Sequence, residues 1–150
     1  MEVMIGVDPH KGSHTATMLD RTERELTRIK VRAGRRQVEQ LLEWANGHEE
    51  RTWAVECAGG MGYLLSQQLV AAGETVLDVP ATLASRVRVL GTGQSTKTDP
   101  NDARSVAVAA LRSLSALLAV DIAPLRAGGV RGCRRMRGCG VGRALEAGAG

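Results

Sequence analysis

Apolar residues in the first third of the chain fall in short blocks with the two-residue period of strands. Met4-Ile5-Gly6-Val7 reads as a buried strand ending at Asp8, with Pro9 stopping regular pairing. Thr15 to Leu19 alternates like a second strand, Asp20 to Glu23 suits a turn, and Glu25 to Val31 sets Leu26, Arg28 and Lys30 against Ile29 and Val31 in a third. Three strands with short connections predict an antiparallel meander. The period then lengthens: Val38, Leu41, Leu42 and Ala45 recur at helical spacing between Arg35 and Ala45, and Asn46-Gly47 supplies a stop. Thr52 to Val55 is a fourth strand running into Glu56. Gly59, Gly60 and Gly62 turn the chain into a helix over Met61 to Ala72, with Leu64, Leu65, Gln68 and Leu69 at helical spacing and Gly73 as the exit. Thr75 to Val79 is a fifth strand, Pro80 to Leu90 is helical, Gly91 to Thr98 is a polar loop, and Asp99 to Leu111 is a helix with Pro100 at its first position. The order β-β-β-α-β-α-β-α-α predicts an α/β fold. Its mixed five-stranded sheet has antiparallel strands 1-3 and parallel strands 4-5, flanked by helices.

Composition narrows the class. Hydrophobic residues make up 43% and charged residues 24% of the 150, ordinary for a water-facing globular domain. No apolar run approaches the ~20 residues of a bilayer span, and the N-terminus lacks signal-peptide features, so the expected location is the cytoplasm. Cys57, Cys133 and Cys139 show no Cys-x-x-Cys spacing and read as free thiols. The net charge of +4 resides in the tail: residues 1 to 111 hold 13 Lys and Arg against 14 Asp and Glu, whereas residues 112 to 150 hold 7 Arg against 2 acids. Two Trp, one Tyr and no Phe argue against a base-stacking platform for single strands. Residues 127 to 150 carry eight glycines without helical or strand period, so the expected division is a domain over residues 1–118 and an Arg/Gly-rich tail, disordered or aberrant, over residues 119–150.

The chemistry is carried by carboxylates. Asp8 ends the first strand, Glu56 ends the fourth, and Asp99 with Asp102 opens the last helix on one face. Strand-end acids in α/β proteins gather at one edge of the sheet. Two carboxylates 4 Å apart repel by roughly 4 kcal/mol at an effective dielectric near 20, a cost that a divalent cation removes. Hard oxygen donors without a His or Cys cluster point to Mg²⁺ or Mn²⁺. Each acid alone also has a plain reading: Asp8 as a strand-to-turn acid, Glu56 as the first exposed residue past a strand, and Asp99 and Asp102 as the cap and dipole partners of a helix start. Their joint placement is what points to a site.

Ile5-Gly6-Val7-Asp8-Pro9-His10-Lys11, Trp53-Ala54-Val55-Glu56, Gly59-Gly60-Met61-Gly62-Tyr63-Leu64 and Lys97-Thr98-Asp99-Pro100-Asn101-Asp102-Ala103 closely resemble the N-terminal domain of the IS110 (IS-one-ten) family of insertion-sequence transposases. The resemblance covers residues 3 to about 118. It implies an RNase H-like (RuvC-like) fold with a catalytic, metal-binding DEDD tetrad of Asp8, Glu56, Asp99 and Asp102. It also implies Mg²⁺-dependent DNA strand exchange, assembly as dimers and tetramers, and guidance by a structured RNA encoded by the element. The family's nucleophilic serine lies in a separate C-terminal domain that these 150 residues do not include. The expectation is therefore a truncated transposase, inactive alone, whose segment after about Ala119 is a frame-shifted tail.

Other readings stand beside it. These are a stand-alone RuvC-like nuclease or resolvase, a non-catalytic nucleic-acid-binding fragment, and half of a sugar-kinase-type ATPase, which lacks its second half here. Lys11, Arg86, Arg88 and Lys97 are candidate nucleic-acid contacts, with solvated surface positions as the plain alternative. A metal pair from His10 and His14 is not expected, and Cys57 is expected to pack as a small apolar side chain.

Overall fold

The computed structural model describes residues 1–92, 99–117, 119 and 120, without the side chains of Thr92, Asp99, Pro100 and Ser115. Strands β1 (Val3–Pro9), β2 (Ser13–Leu19), β3 (Glu25–Arg32), β4 (Arg51–Glu56) and β5 (Thr75–Val79) form one sheet in the order β3-β2-β1-β4-β5. The β1/β2 and β2/β3 pairs are antiparallel, and the β1/β4 and β4/β5 pairs are parallel. Helices α1 (Gln37–Trp44) and α2 (Tyr63–Ala71) cover one face. On the other lies α4 (Asp99–Ser113), with α3 (Ala81–Thr92) packed against it. A short 3₁₀ turn, Leu114–Ala116, follows.

Side-chain alternation divides the core in two. Ile5, Val7, Ala16, Met18, Val31, Trp53 and Val55 meet Leu41, Leu65 and Leu69 on the α1/α2 side. Met4, Leu19, Ala54, Leu77 and Val79 meet Val106, Ala107 and Ala110 on the α4 side. Gly6 is the closest point of the second layer. A Cβ there would stand 2.5 Å from the Ala107 nitrogen and closer still to the Ala103 carbonyl oxygen, so only glycine lets α4 lie directly on β1.

A buried polar relay ties the first layer together. Gln37 Oε1 accepts from the Gly34 amide at 3.1 Å and from His14 Nε2 at 2.9 Å, while Gln37 Nε2 donates to Gln68 Oε1 at 2.6 Å. Burial holds the His14 imidazole below its ordinary pKa. At the opposite end of the sheet Glu74 receives Arg51 at 2.6 Å and 2.8 Å and the Trp53 indole N–H at 2.6 Å.

Several boundaries differ from the sequence expectations. Pro9 does not stop pairing but sits opposite His14 as the last residue of β1; its missing N–H matters little at a strand's end. Both α1 and α2 begin two residues later than expected: ahead of α1 the Gly34 amide donates to the Gln37 side chain and holds the chain in a turn, and the glycine turn before α2 runs through Gly62. Leu64 is 63% exposed and Ser66 buried in its stead, so the inward stripe of α2 is Leu65, Ser66 and Leu69. Gly91 and Thr92 extend α3; the rest of the expected polar loop and residues 121–150 lie outside the described residues. Ala119 bridges Leu77, and the Val120 amide donates to the Val76 carbonyl at 2.8 Å, keeping the chain on the β5 edge to that point. No described helix is long and apolar enough to cross a membrane.

Candidate active site

Asp8 lies two residues after Gly6 and so shares its sheet face, the one that α4 covers. Val7 pairs with Val55, which makes Asp8 and Glu56 the next residues on adjacent parallel strands. The α4 helix, seated on Gly6, brings Asp102 from its first turn to the same edge. The Asp99 backbone opens that helix, while its side chain lies outside the described residues.

Electrostatics register this convergence. Burial above all pushes the Asp8 carboxyl up to about 7, the hydrogen bond and charge of Glu56 and the charge of Asp102 add to it, and His10 pulls the other way. The Asp8 Oδ2 atom is buried and makes no hydrogen bond; His10 Nδ1 stands 3.6 Å from it. Arg88 on α3 places Nη1 2.8 Å from Asp102 Oδ1, with the two side chains 11% and 6% exposed. That approach is electrostatic and not an aligned hydrogen bond, since Asp102 Oδ1 makes none.

The wall beside Glu56 is a tight turn. Cys57 adopts φ 50°, and its carbonyl accepts from the Gly60 and Gly62 amides at 2.8 Å and 3.3 Å. The Ala58 amide donates to Asp78 Oδ1 at 2.8 Å. A Cβ on Gly62 would stand 2.6 Å from Val55 Cγ1 and 3.2 Å from both the Glu56 oxygen and Pro9 Cγ, so this glycine lets the turn close against β1. The Cys57 backbone thus carries the turn itself, with its side chain half-buried.

Do these residues fit a divalent ion? Among the described residues no group of three or more His, Cys, Asp and Glu side chains is disposed to hold a metal. Asp102 is engaged by Arg88, and Asp99 is not in that count. Asp8 and Glu56 do fit: two hard-oxygen donors at the ends of adjacent parallel strands, with the charge of Glu56 felt at Asp8 and one buried Asp8 oxygen that makes no hydrogen bond. A guanidinium and a retained proton supply the compensation that clustered carboxylates need.

Of the expected nucleic-acid contacts, Lys11 is exposed on the turn after Pro9, at the Asp8 end of the sheet, and Arg86 is exposed on α3. Lys97 lies outside the described residues. Arg88, largely buried, sets its guanidinium against Asp102 and not on a solvated helix face. His10 beside Asp8 is the contact that sequence reasoning missed. Only its position two residues past the strand-ending acid hinted at it.

The sequence profile of the IS110-type DEDD transposases, described as "Transposase", matches residues 5–133. The chain belongs to this family. A relative, the insertion element IS116 uncharacterized 44.8 kDa protein of Streptomyces clavuligerus, is 37% identical over 105 residues, which are 70% of this chain and 26% of that protein. The chain therefore spans about a quarter of the length of that family member. Two solved structures share the fold. Thermus thermophilus RuvC in complex with a Holliday junction substrate has a TM-score of 0.57 at 16% identity and covers 80% of this chain and 100% of its own; a further Thermus thermophilus RuvC structure has the same score and identity, covering 79% and 99%. The sheet is thus RNase H-like, in the RuvC manner, as the element order and the family motifs imply.

Asp102 tests the part that Arg88 plays in this family member. Arg88→Gln leaves a buried carboxylate near Asp8 and Glu56 without its cation, and we expect a loss of roughly 2 kcal/mol in urea unfolding with EDTA. Millimolar Mg²⁺ should recover most of it; an equal loss with and without Mg²⁺ would mean that Arg88 only packs.

Proposed function

We propose that Asp8, Glu56 and Asp102, completed by Asp99, hold Mg²⁺ or Mn²⁺ and act on DNA phosphodiesters as the N-terminal catalytic part of a transposase. The observation that carries this reading is the register that sets Asp8 and Glu56 side by side at the ends of adjacent parallel strands, with the charges of Glu56 and Asp102 both raising Asp8. In such a site a bound divalent ion supplies neutralisation of charge at the phosphate and an acidified water. The chain's own groups do the rest. Asp8 and Glu56 present oxygen donors from rigid strand ends, Asp102 approaches from a helix fixed by Gly6, and His10 stands 3.6 Å from Asp8, where its charge favours the Asp8 carboxylate.

DNA as substrate is supported by family membership and by the junction bound to the RuvC neighbour. The family resemblance further supports a structured guide RNA and assembly as dimers or tetramers. It also supports a division of labour in which other segments of the longer family members carry further recombination chemistry. Coverage of the whole RuvC chain by this fold favours a second reading, cleavage of branched DNA without further domains.

The test is thermal unfolding of the protein with Mg²⁺ or Mn²⁺, followed by incubation with branched DNA, with and without element-derived RNA. At a hundred times its dissociation constant a metal should stabilise by about 2.7 kcal/mol, and Asp8→Asn with Asp102→Asn should abolish this. Cleavage that disappears in the double variant establishes the second reading. Metal binding with DNA binding but no cleavage fits the transposase part. A wild-type protein that neither metal stabilises overturns the proposal.

A further inference from the structure

The α4-side face of β3 is basic and open, and it shares a row with the acids. The register pairs Asp8 with Thr15 and Thr15 with Lys30, so Lys30 lies two strands over from Asp8 on the same face, about 10 Å away by strand spacing. Arg28 and Arg32 flank it at two-residue intervals, opposite Thr17 and Ser13. While α4 buries Thr15 and Thr17 on β2, Leu26, Arg28, Lys30 and Arg32 on the neighbouring edge strand remain exposed. The row ends at Arg32, at the same end of the sheet as Asp8, because β3 runs parallel to β1. There the Ala33 amide donates to the Gly12 carbonyl at 3.0 Å and brings in the turn that carries Lys11. Arg104 on α4 lies at the opposite end, donating to the Glu23 carbonyl in the β2–β3 turn at 3.0 Å.

The charge is concentrated here. Through residue 111 acids outnumber bases by one, yet residues 26–38 hold five Lys and Arg and no acid; three form the row, and Arg35 and Arg36 follow it on the turn to α1, where Arg36 engages Glu39 at 2.7 Å. Glu25 engages Arg28 at 2.7 Å, and by register Lys30 and Arg32 are the part of the row nearest the acids. One strand of a duplex carries a phosphate for each ~3.4 Å of axis, and Arg28 to Arg32 spans about 13 Å of strand, so the row matches several successive phosphates.

We propose that the Arg28-Lys30-Arg32 row on β3 binds the phosphate backbone of the DNA strand presented to Asp8 and Glu56, setting where along that strand the acids act. This rests on the DNA reading above and adds the surface that aligns the substrate.

The experiment measures binding of labelled branched DNA by anisotropy over a range of KCl in EDTA, so that no metal chemistry enters. Each phosphate contact contributes about 0.9 to the slope of log K against log salt. Lys30→Gln with Arg32→Gln should lower that slope by about 2, while the charge-matched pair Arg21→Gln with Arg24→Gln, on the exposed turn at the other end of β3, should leave it unchanged. In the wild-type protein, bound DNA should also protect Lys30 from acetylation, a readout independent of how any variant folds. Equal slopes for the two pairs, or an unprotected Lys30, overturn the proposal, as does a loss confined to a matched RNA. Wild-type protein that binds no branched DNA removes the DNA reading as well. Unchanged slopes with intact binding remove this surface alone.

Discussion

Replacing Gly6 by valine should cost more than about 3 kcal/mol and separate the acids at once. Overpacking usually costs ~1–3 kcal/mol because side chains yield, but the atoms facing Gly6 are backbone atoms of Ala103 and Ala107, and a helix backbone yields only by moving as a body. Displacement of α4 carries Asp102 away from Asp8, so metal-dependent stabilisation should vanish with the lost stability. Gly6→Ala is the milder form. Gly12→Ala, with nothing within 4 Å, should stay within about 0.5 kcal/mol. Urea unfolding with and without Mg²⁺ checks all three, and a Gly6→Val protein of wild-type stability would refute the close approach of α4.

The second large effect is a pH dependence that Asp8→Asn removes. Between about 3.8 and about 7 the unfolded chain has lost the Asp8 proton and the folded chain keeps it. The folded state then binds more protons, so stability falls as pH rises through this window and the loss is complete above it. The displacement corresponds to at most about 4 kcal/mol at pH 8. In EDTA, Asp8→Asn should therefore be more stable than wild type at pH 8, with the gap closing toward pH 4. Taking the difference between the two proteins cancels His14, whose lowered pKa tilts both curves the opposite way. Mg²⁺ at pH 8 should reverse the order by stabilising only the wild type. Parallel stability curves for the two proteins from pH 4 to 8 would mean that Asp8 is not a strained acid.

These two results probe different layers of the same design. The Gly6 substitution tests whether the helix is close enough, and the Asp8 substitution tests whether closeness creates a charge cost. A member of this transposase family with both properties would store in its fold an unfavourable acid cluster that a cation relieves. Arg88 moderates that cost from α3, and His10 moderates it from the turn after Pro9.

Periodicity alone determined most of the architecture. The short apolar run of β1, the two-residue alternation in β2 and β3 and the helical spacing that includes Leu41 in α1 and Leu65 and Leu69 in α2 are local properties, set by whether a residue's neighbours along the chain share its face. Glu56 and the Asp99/Asp102 spacing were legible for the same reason, since strand ends and helix starts are written in adjacent residues. Only the tertiary structure decided which of these groups meet. That Asp8 lies beside Glu56, that Arg88 faces Asp102, and that Lys30 shares a row with Asp8 depend on sheet order, register and the seating of α4. Those follow from packing between segments tens of residues apart, where no local preference of the chain can carry the information.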